Sequence, residues 1–171
     1  MNAFNKEVSA VLHYSDNLPY DRKGFEKVLD SVEKQSIEPK EILVINHSNK
    51  DLDFLPENCK VVEDFSTISQ ALKKAVETSE GEFLIYVDNQ QYEIILKKSY
   101  TETALMAAER CDNFGMLYAD YELESEGQLQ DQHLLKHHIG RVRDNQDYGS
   151  VLFFPTAVLS SGVIDTSVKY K

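Results

Sequence analysis

The chain has 171 residues, 42% of them hydrophobic and 10% aromatic, and its 29 acidic and 18 basic side chains give a formal net charge of −11. This length and apolar content fit one globular domain, taken as residues 1–171, and argue against a disordered chain. The acidic balance argues against nucleic acid as a partner, because phosphate binding depends on clustered cations. No window approaches the roughly 18 apolar residues of a membrane helix.

The cysteines and the N-terminus bear on where the protein resides. Cys59 and Cys111 are far apart and lack metal-ligand spacing, so they predict neither a disulfide framework nor a zinc site. We interpret them as small buried apolar residues. The first residues lack the pattern of a signal peptide. We therefore expect a cytoplasmic protein, with a peripheral position at the inner face of a membrane and a homo-oligomeric state left open.

Short β-branched apolar runs alternate with stretches of helical spacing along the chain, which indicates an α/β fold with a mainly parallel sheet flanked by helices. The predicted strands cover residues 8–14, 41–46, 60–62, 83–87, 114–118 and 150–154. Helices are predicted over 22–35, between 62 and 83 with Ser66 as N-cap, and over 94–111. Alternating residues around a turn at 125–127 predict a polar β-hairpin over 120–132.

Polar side chains follow four of these strands, at the edge of an open α/β sheet where ligands bind. They are Tyr14, Asp16, Asn46, Asp51, Asp88, Gln90 and Asp120. Each one alone could equally be a turn residue or a helix cap. Asp88 is the best candidate for chemistry, because Mg²⁺ or Mn²⁺ requires hard oxygen ligands and a diphosphate supplies the remainder. The chain has no glycine-rich phosphate loop, which disfavours P-loop or dinucleotide binding.

The order of these features resembles the nucleotide-sugar-binding part of a family 2 glycosyltransferase with the GT-A fold. Residues 29–45 are similar to the family's Ser-Val-x-x-Gln followed by Glu-Ile-Ile-Val-Val, and residues 81–90 to its Gly-Glu-Tyr-Ile-x-Phe-Leu-Asp-x-Asp. The resemblance covers nearly the whole chain. It implies transfer of a sugar from a nucleotide diphosphate donor, uridine-linked, to an unknown acceptor, with inversion at the anomeric carbon. It also implies a part in cell-surface polysaccharide biosynthesis.

The resemblance further implies roles for the residues at the strand ends. The metal, Mg²⁺ or Mn²⁺, would be held by Asp88 and Gln90. The nucleoside end of the donor would contact Tyr14, Asp16, Asn46 and Asp51. Asp120 would lie at the sugar, and it is the one candidate for the catalytic base, although orienting the ligand is its favoured role.

The chain departs from the family at the positions where function is expected. Asn46 stands where the family begins Asp-Asp-Gly-Ser-x-Asp, and Gln90 replaces the second carboxylate of the metal motif, so we expect a weakened metal site. His13 replaces a proline. The family's Glu-Asp base motif would follow Asp165, so we expect a chain truncated at its C-terminal end. The alternative, from another class, is a degenerate GT-A domain that binds a ligand or partner without turnover.

Two further groups of residues could form sites. His133 and His137 have the i, i+4 spacing of a metal pair, with His138 beside them, but no further ligand completes a site and a solvated segment is favoured. Arg141 and Arg143 would meet diphosphate oxygens or lie in a solvated loop, and the solvated loop is favoured.

Overall fold

A six-stranded mixed sheet forms the centre of the computed structural model, which describes residues 6–48, 50–111, 113–135 and 146–164. The strands are β1 Val8–Tyr14, β2 Glu41–Asn46, β3 Cys59–Val62, β4 Phe83–Val87, β5 Leu117–Tyr118, β6 Tyr121–Ser125, β7 Gln128–Gln132 and β8 Val151–Pro155. The sheet has the order β3-β2-β1-β4-β8-β5, with β1 to β4 parallel and β8 antiparallel to both of its neighbours. The predicted mainly parallel sheet is confirmed.

Helices cover both faces of this sheet. They are α1 Arg22–Glu33, α2 Ile68–Thr78, α3 Tyr100–Arg110 and a short α4 Thr156–Val158 that continues into a π-helical segment, Leu159–Val163. Apolar residues of α1 and α3 pack on one face, called the α1 face, and those of α2 on the other, called the α2 face. In the described part of the chain no helix is long and apolar enough to cross a membrane.

Alternation along the strands divides their side chains between the two faces. In β1, Ala10 and Leu12 belong to the cluster on the α1 face, whereas Val11 belongs to the cluster on the α2 face. All three are fully buried. Because parallel strands covered on both faces bury both sets of side chains, these strands appear in the sequence as continuous apolar runs.

The order of the strands fixes where a ligand can bind. The chain passes from β1 through α1 to β2 and on to β3, and α2 then leads back across the sheet to β4 on the other side of β1. The direction of the connections therefore reverses between β1 and β4. In open α/β sheets the crevice beyond the carboxyl ends of the strands at such a point is the ligand site.

Helix α3 begins at Tyr100, so the prediction of a helix from residue 94 was wrong. Two side chains, one in α1 and one just after its end, hold the residues before α3 in an irregular conformation. The Ser31 hydroxyl accepts a hydrogen bond from the Leu96 N–H (3.1 Å), and the Gln35 amide donates to the Lys97 carbonyl (3.2 Å). These tertiary hydrogen bonds outweigh the local preference for helix.

Three smaller predictions also need correction. Thr67, and not Ser66, is the N-cap of α2, since its hydroxyl accepts a hydrogen bond from the Gln70 N–H (3.2 Å). Strand β5 is shorter than the predicted 114–118, because Phe114 instead joins an aromatic stack with Phe153. Cys111 follows the last residue of α3 and is exposed, so only Cys59 is partly buried as expected.

The predicted polar hairpin is confirmed by the pairing of β6 with β7 as a separate two-stranded sheet. Glu126 and Gly127 form its turn with φ values of 54° and 74°. A two-residue turn with both residues at positive φ matches the twist of the flanking strands. His137, His138, Arg141, Arg143 and Asp165 lie outside the described residues.

A buried carboxylate joins the strands at the opposite, amino-terminal edge of the sheet. Glu41 accepts hydrogen bonds from the Ser9 hydroxyl (2.7 Å) and the Glu80 N–H (2.6 Å), and its other oxygen lies 2.6 Å from Lys60 Nζ. Burial raises the pKa of Glu41, but the hydrogen bonds from Lys60, Glu80 and Ser9 outweigh it, and the net pKa is lowered.

Candidate functional site

The carboxyl ends of β1, β2 and β4 bring most of the predicted residues to one edge of the sheet. Tyr14 is paired in register with Asn46 at the ends of β1 and β2, and the His47 N–H donates to the Tyr14 carbonyl (2.8 Å). On the other side of β1, Asp88 directly follows β4, and its N–H donates to the Ser150 carbonyl (2.7 Å). Asp88 thus lies at the point where the connections reverse direction.

Asn89, the middle residue of the Asp88-Asn-Gln90 motif, joins the ends of β4 and β1. Its side-chain oxygen accepts from the His13 N–H and its amide donates to the His13 carbonyl, both at 2.8 Å. The same amide donates to the Tyr20 hydroxyl (2.8 Å), which donates to the Asn89 carbonyl (2.6 Å). Because Asn89 is fully buried, these bonds satisfy polar groups that water cannot reach.

The residues predicted to hold a metal lie next to each other. The Gln90 amide donates to Asp88 Oδ1 at 3.1 Å, and the Gln90 N–H approaches the same oxygen at 3.4 Å. Among the described residues no group of three or more His, Cys, Asp or Glu side chains is arranged to hold a metal ion. A carboxylate and an amide carbonyl are both oxygen donors of the kind that Mg²⁺ or Mn²⁺ accepts. Their chemistry fits such an ion, provided that phosphate and water complete the coordination.

The Asn46 side chain makes its hydrogen bonds within the protein. Its amide donates to the Lys50 carbonyl (3.0 Å) and to a Glu63 carboxylate oxygen (2.9 Å). Its oxygen accepts from the N–H (3.0 Å) and the hydroxyl (2.7 Å) of Ser48. The residue is also almost completely buried. In this arrangement Asn46 shapes the loop after β2, and a ligand would have to displace one of these bonds to reach it.

The other residues predicted at the nucleoside end differ in exposure. Asp16 is exposed and pairs with Lys50 at 2.8 Å, and Asp51 is exposed one residue beyond. The Tyr14 ring packs edge-on against Phe25, with ring centroids 5.0 Å apart, and lies on the α1 face. The structure therefore places all of these residues near the carboxyl ends of β1 and β2, with Tyr14 partly buried on the α1 face and the two aspartates exposed.

Three residues outside the predicted site form a polar row on the α2 face. Nδ1 of His13 lies 2.9 Å from Nε2 of His47, and Nε2 of His13 lies 3.0 Å from the Tyr86 hydroxyl. Burial, together with the neighbouring His47, lowers the pKa of His13 to about 4 despite the opposing charge of Asp88. Burial also lowers the pKa of His47. Both rings are thus neutral at pH 7.

Asp120 lies on the hairpin side of this edge, after β5. One of its oxygens is 2.8 Å from Nδ1 of His133, and the other accepts from the Leu134 N–H (2.8 Å). The His133 contact and the Leu134 hydrogen bond lower the pKa of Asp120, and Asp120 raises the pKa of His133. A general base acts best with a pKa near the working pH, so this lowered pKa suits a role in orienting a ligand better than proton abstraction.

Solved structures are similar to this chain in fold. TarS from S. aureus has a TM-score of 0.61 and 19% identity over 88% of this chain and 47% of that chain. The 4-diphosphocytidyl-2C-methyl-D-erythritol synthase of Anaerococcus prevotii has a TM-score of 0.55 and 15% identity over 94% of this chain and 75% of that one. The chain has a GT-A-like fold.

Two further neighbours were solved with nucleotides. Glucosyl-3-phosphoglycerate synthase from Mycobacterium tuberculosis, in complex with UDP, has a TM-score of 0.54 and 10% identity over 90% of this chain and 58% of that chain. CMP:2-keto-3-deoxy-manno-octonic acid synthetase, complexed with CTP, has a TM-score of 0.55 and 10% identity over 90% of this chain and 75% of that chain. This chain spans about half the length of the TarS structure. No protein-family model matches the chain, and no curated protein matches its sequence.

Proposed function

We propose that this chain is the donor-binding domain of a family 2 glycosyltransferase, which binds a uridine-linked nucleoside diphosphate sugar at the carboxyl ends of β1, β2 and β4. The observation that carries the proposal is that Asp88 directly follows β4, with Gln90 two residues beyond it, at the point where the connections reverse direction. The neighbours that bind UDP and CTP support a nucleotide as the ligand. The strand ends provide oxygen and nitrogen groups that suit such a ligand.

In this function the chain's residues bind and orient the donor. Asp88 and Gln90 would hold Mg²⁺ or Mn²⁺, whose charge stabilises a diphosphate leaving group. Tyr14, Asp16 and Asp51 lie at the edge where the nucleoside would bind. Asp120 would orient the sugar or the acceptor, with His133 keeping its carboxylate ionised.

Binding without turnover is the second candidate function, and two observations favour it. The Gln90 amide donates a hydrogen bond to Asp88 Oδ1, an oxygen that the expected site would offer to the metal. Asn46 has both of its amide groups bonded within the protein. A domain with these features would bind a nucleotide or partner but give little charge stabilisation to a leaving group.

Calorimetric titration with UDP, with and without Mn²⁺, tests the first proposal. We expect Mn²⁺ to increase the affinity for UDP in the unchanged protein, and Asp88→Asn to abolish that increase, because it removes the carboxylate from the donor set. Loss of a group that only supports a metal ligand costs about 10–100-fold in metal affinity, so loss of the Asp88 carboxylate itself should cost at least about tenfold. Asp64→Asn is the matched control, since Asp64 is an exposed carboxylate on the loop after β3.

The two proposals are separated by turnover. Release of UDP from a panel of UDP-sugars is measured with Mn²⁺ present, in the unchanged protein and in Asp88→Asn. Release that depends on Asp88 supports the transferase, whereas UDP binding without release from any donor supports binding alone. An equal Mn²⁺ effect in Asp88→Asn and the unchanged protein would contradict the role given to Asp88.

A further inference from the structure

The row formed by Tyr86, His13 and His47 crosses three neighbouring strands at the edge proposed for nucleotide binding. Tyr86 belongs to β4, His13 to β1, and His47 directly follows β2. His13 is fully buried, and both of its ring nitrogens are used within the row. Neither the proposed metal site nor the proposed sugar contact uses these three side chains.

The two imidazole rings meet edge to edge. Their planes differ by 17° and their centroids are 5.2 Å apart, while the nearest nitrogens are 2.9 Å apart. This centroid separation corresponds to the nitrogen distance plus the two ring radii, so the rings are nearly coplanar and joined by one N–H···N hydrogen bond. In two neutral rings, one of the facing nitrogens carries a proton and donates the hydrogen bond, and the other accepts that bond.

Tyr86 decides the direction of this hydrogen bond. Its hydroxyl bonds to no described residue except His13. Tyr86 is partly buried, and a phenolic O–H is a better hydrogen-bond donor than acceptor, whereas a bare imidazole nitrogen is a strong acceptor. Tyr86 therefore donates to Nε2 of His13, and His13 donates through Nδ1 to Nε2 of His47.

This direction determines the tautomer of His47. Because its Nε2 accepts a hydrogen bond from His13, the neutral ring carries its own proton on Nδ1. Nδ1 lies on another edge of the ring, away from His13, and has no hydrogen-bond partner among the described residues. The ring is half-buried, and Phe65 packs edge-on against it with centroids 5.1 Å apart. A rigidly held N–H donor thus lies at the ligand edge.

We propose that Tyr86 and His13 hold His47 as an Nδ1–H donor to the carbonyl oxygen at position 4 of the bound nucleotide's base, so that the site prefers uracil to cytosine. The inference rests on the proposed nucleotide binding and adds its base specificity. A carbonyl accepts this hydrogen bond, whereas the amino group that cytosine carries at the equivalent position presents a second donor. Tyr86 and His13 act through His47 and are positioning residues.

The tautomer is testable in the free protein without any ligand. The ¹⁵N chemical shifts of the imidazole nitrogens distinguish a protonated nitrogen from a bare one. We expect Nδ1 to be protonated and Nε2 to be bare in both His13 and His47. Tyr86→Phe removes the donor to Nε2 of His13 and should change the shifts of both rings. Tyr100→Phe alters a partly buried tyrosine on α3 and should change neither. A proton found on Nε2 of His47 would overturn the inference.

Calorimetry with UDP and CDP tests the specificity. We expect the unchanged protein to bind UDP about fivefold to tenfold more tightly than CDP, as one hydrogen bond allows. His47→Phe keeps the contact with Phe65 and should abolish the preference. His47→Asn places an amide nitrogen near the Nδ1 position and should restore part of it. Tyr86→Phe should reduce the preference, and Tyr100→Phe should leave it unchanged.

The outcomes also distinguish this inference from the function on which it rests. Equal affinities for UDP and CDP, both weakened by His47→Phe, would mean that His47 contacts a phosphate oxygen and would overturn the assignment to the base. Nucleotide binding that His47→Phe leaves unaltered would overturn any ligand role for His47. If the unchanged protein binds neither nucleotide, the proposed function fails and the inference fails with it.

Discussion

Replacing Asn89 by alanine tests whether the middle of the Asp88-Asn-Gln90 motif is structural. Asn89→Ala removes three side-chain hydrogen bonds, two to the backbone of His13 and one to the Tyr20 hydroxyl. At about 1 kcal/mol for each bond, the loss is about 3 kcal/mol, and the buried backbone groups left without partners increase it towards about 4–5 kcal/mol. This is a large share of the roughly 5–15 kcal/mol that stabilises a typical domain.

Urea denaturation followed by circular dichroism measures this effect. Asn17→Ala is the matched control, because Asn17 is an exposed asparagine in the loop after β1, and a change within about 0.5 kcal/mol is expected there. Tyr20→Phe and the double variant complete a cycle, in which the two changes should be less than additive because they remove a shared bond. A midpoint for Asn89→Ala equal to that of Asn17→Ala would refute the structural role.

Three further predictions concern other parts of the molecule. Folding lowers the pKa of Glu41, because its hydrogen bonds outweigh its burial. The contribution of Glu41 to stability is therefore complete above the ordinary carboxyl pKa and is lost as the pH falls through the pKa of the folded state. Glu41→Gln should lower stability at neutral pH and make the urea midpoint fall less steeply towards acid pH. A Cβ at Gly81 would lie 2.5 Å from a β1 backbone nitrogen, so Gly81→Ala should destabilise the fold by roughly 2 kcal/mol or more, whereas Gly115→Ala, in open space, should change the thermal midpoint little. Asp120→Asn should lower the pKa of His133 towards its ordinary value in an NMR titration, and an unchanged pKa would exclude their pairing in solution.

The sequence contained most of the information about the sheet. Strands buried on both faces appear as unbroken apolar runs, which is why β1, β2 and β4 were predicted with the bounds that the structure has. The start of α3 was not predictable in this way. Apolar spacing from residue 94 onward is compatible with a helix, and the decision depends on Ser31 and Gln35, which are more than sixty residues away along the chain.

The candidate site was likewise predictable only in part. The residues directly following strands, such as Asp88, were predicted to share one edge because parallel strands end at the same edge, and the structure brings them there. The polar row was missed, although two-residue alternation places Val11 and His13 on one face and could have identified His13 as buried. The pairing with His47 could not be foreseen, since it depends on the conformation of the loop after β2.

Neutral groups at this edge affect the metal and the nucleotide in opposite ways. An amide at Gln90 offers a cation less negative charge than a carboxylate would, and it also repels a diphosphate less. Donation from His47 adds an attraction that needs no metal. Nucleotide affinity should therefore depend only moderately on Mn²⁺, whereas sugar transfer, which must stabilise the charge of a leaving diphosphate, should depend on it strongly. Turnover, rather than affinity, is the quantity on which the two proposed functions differ most.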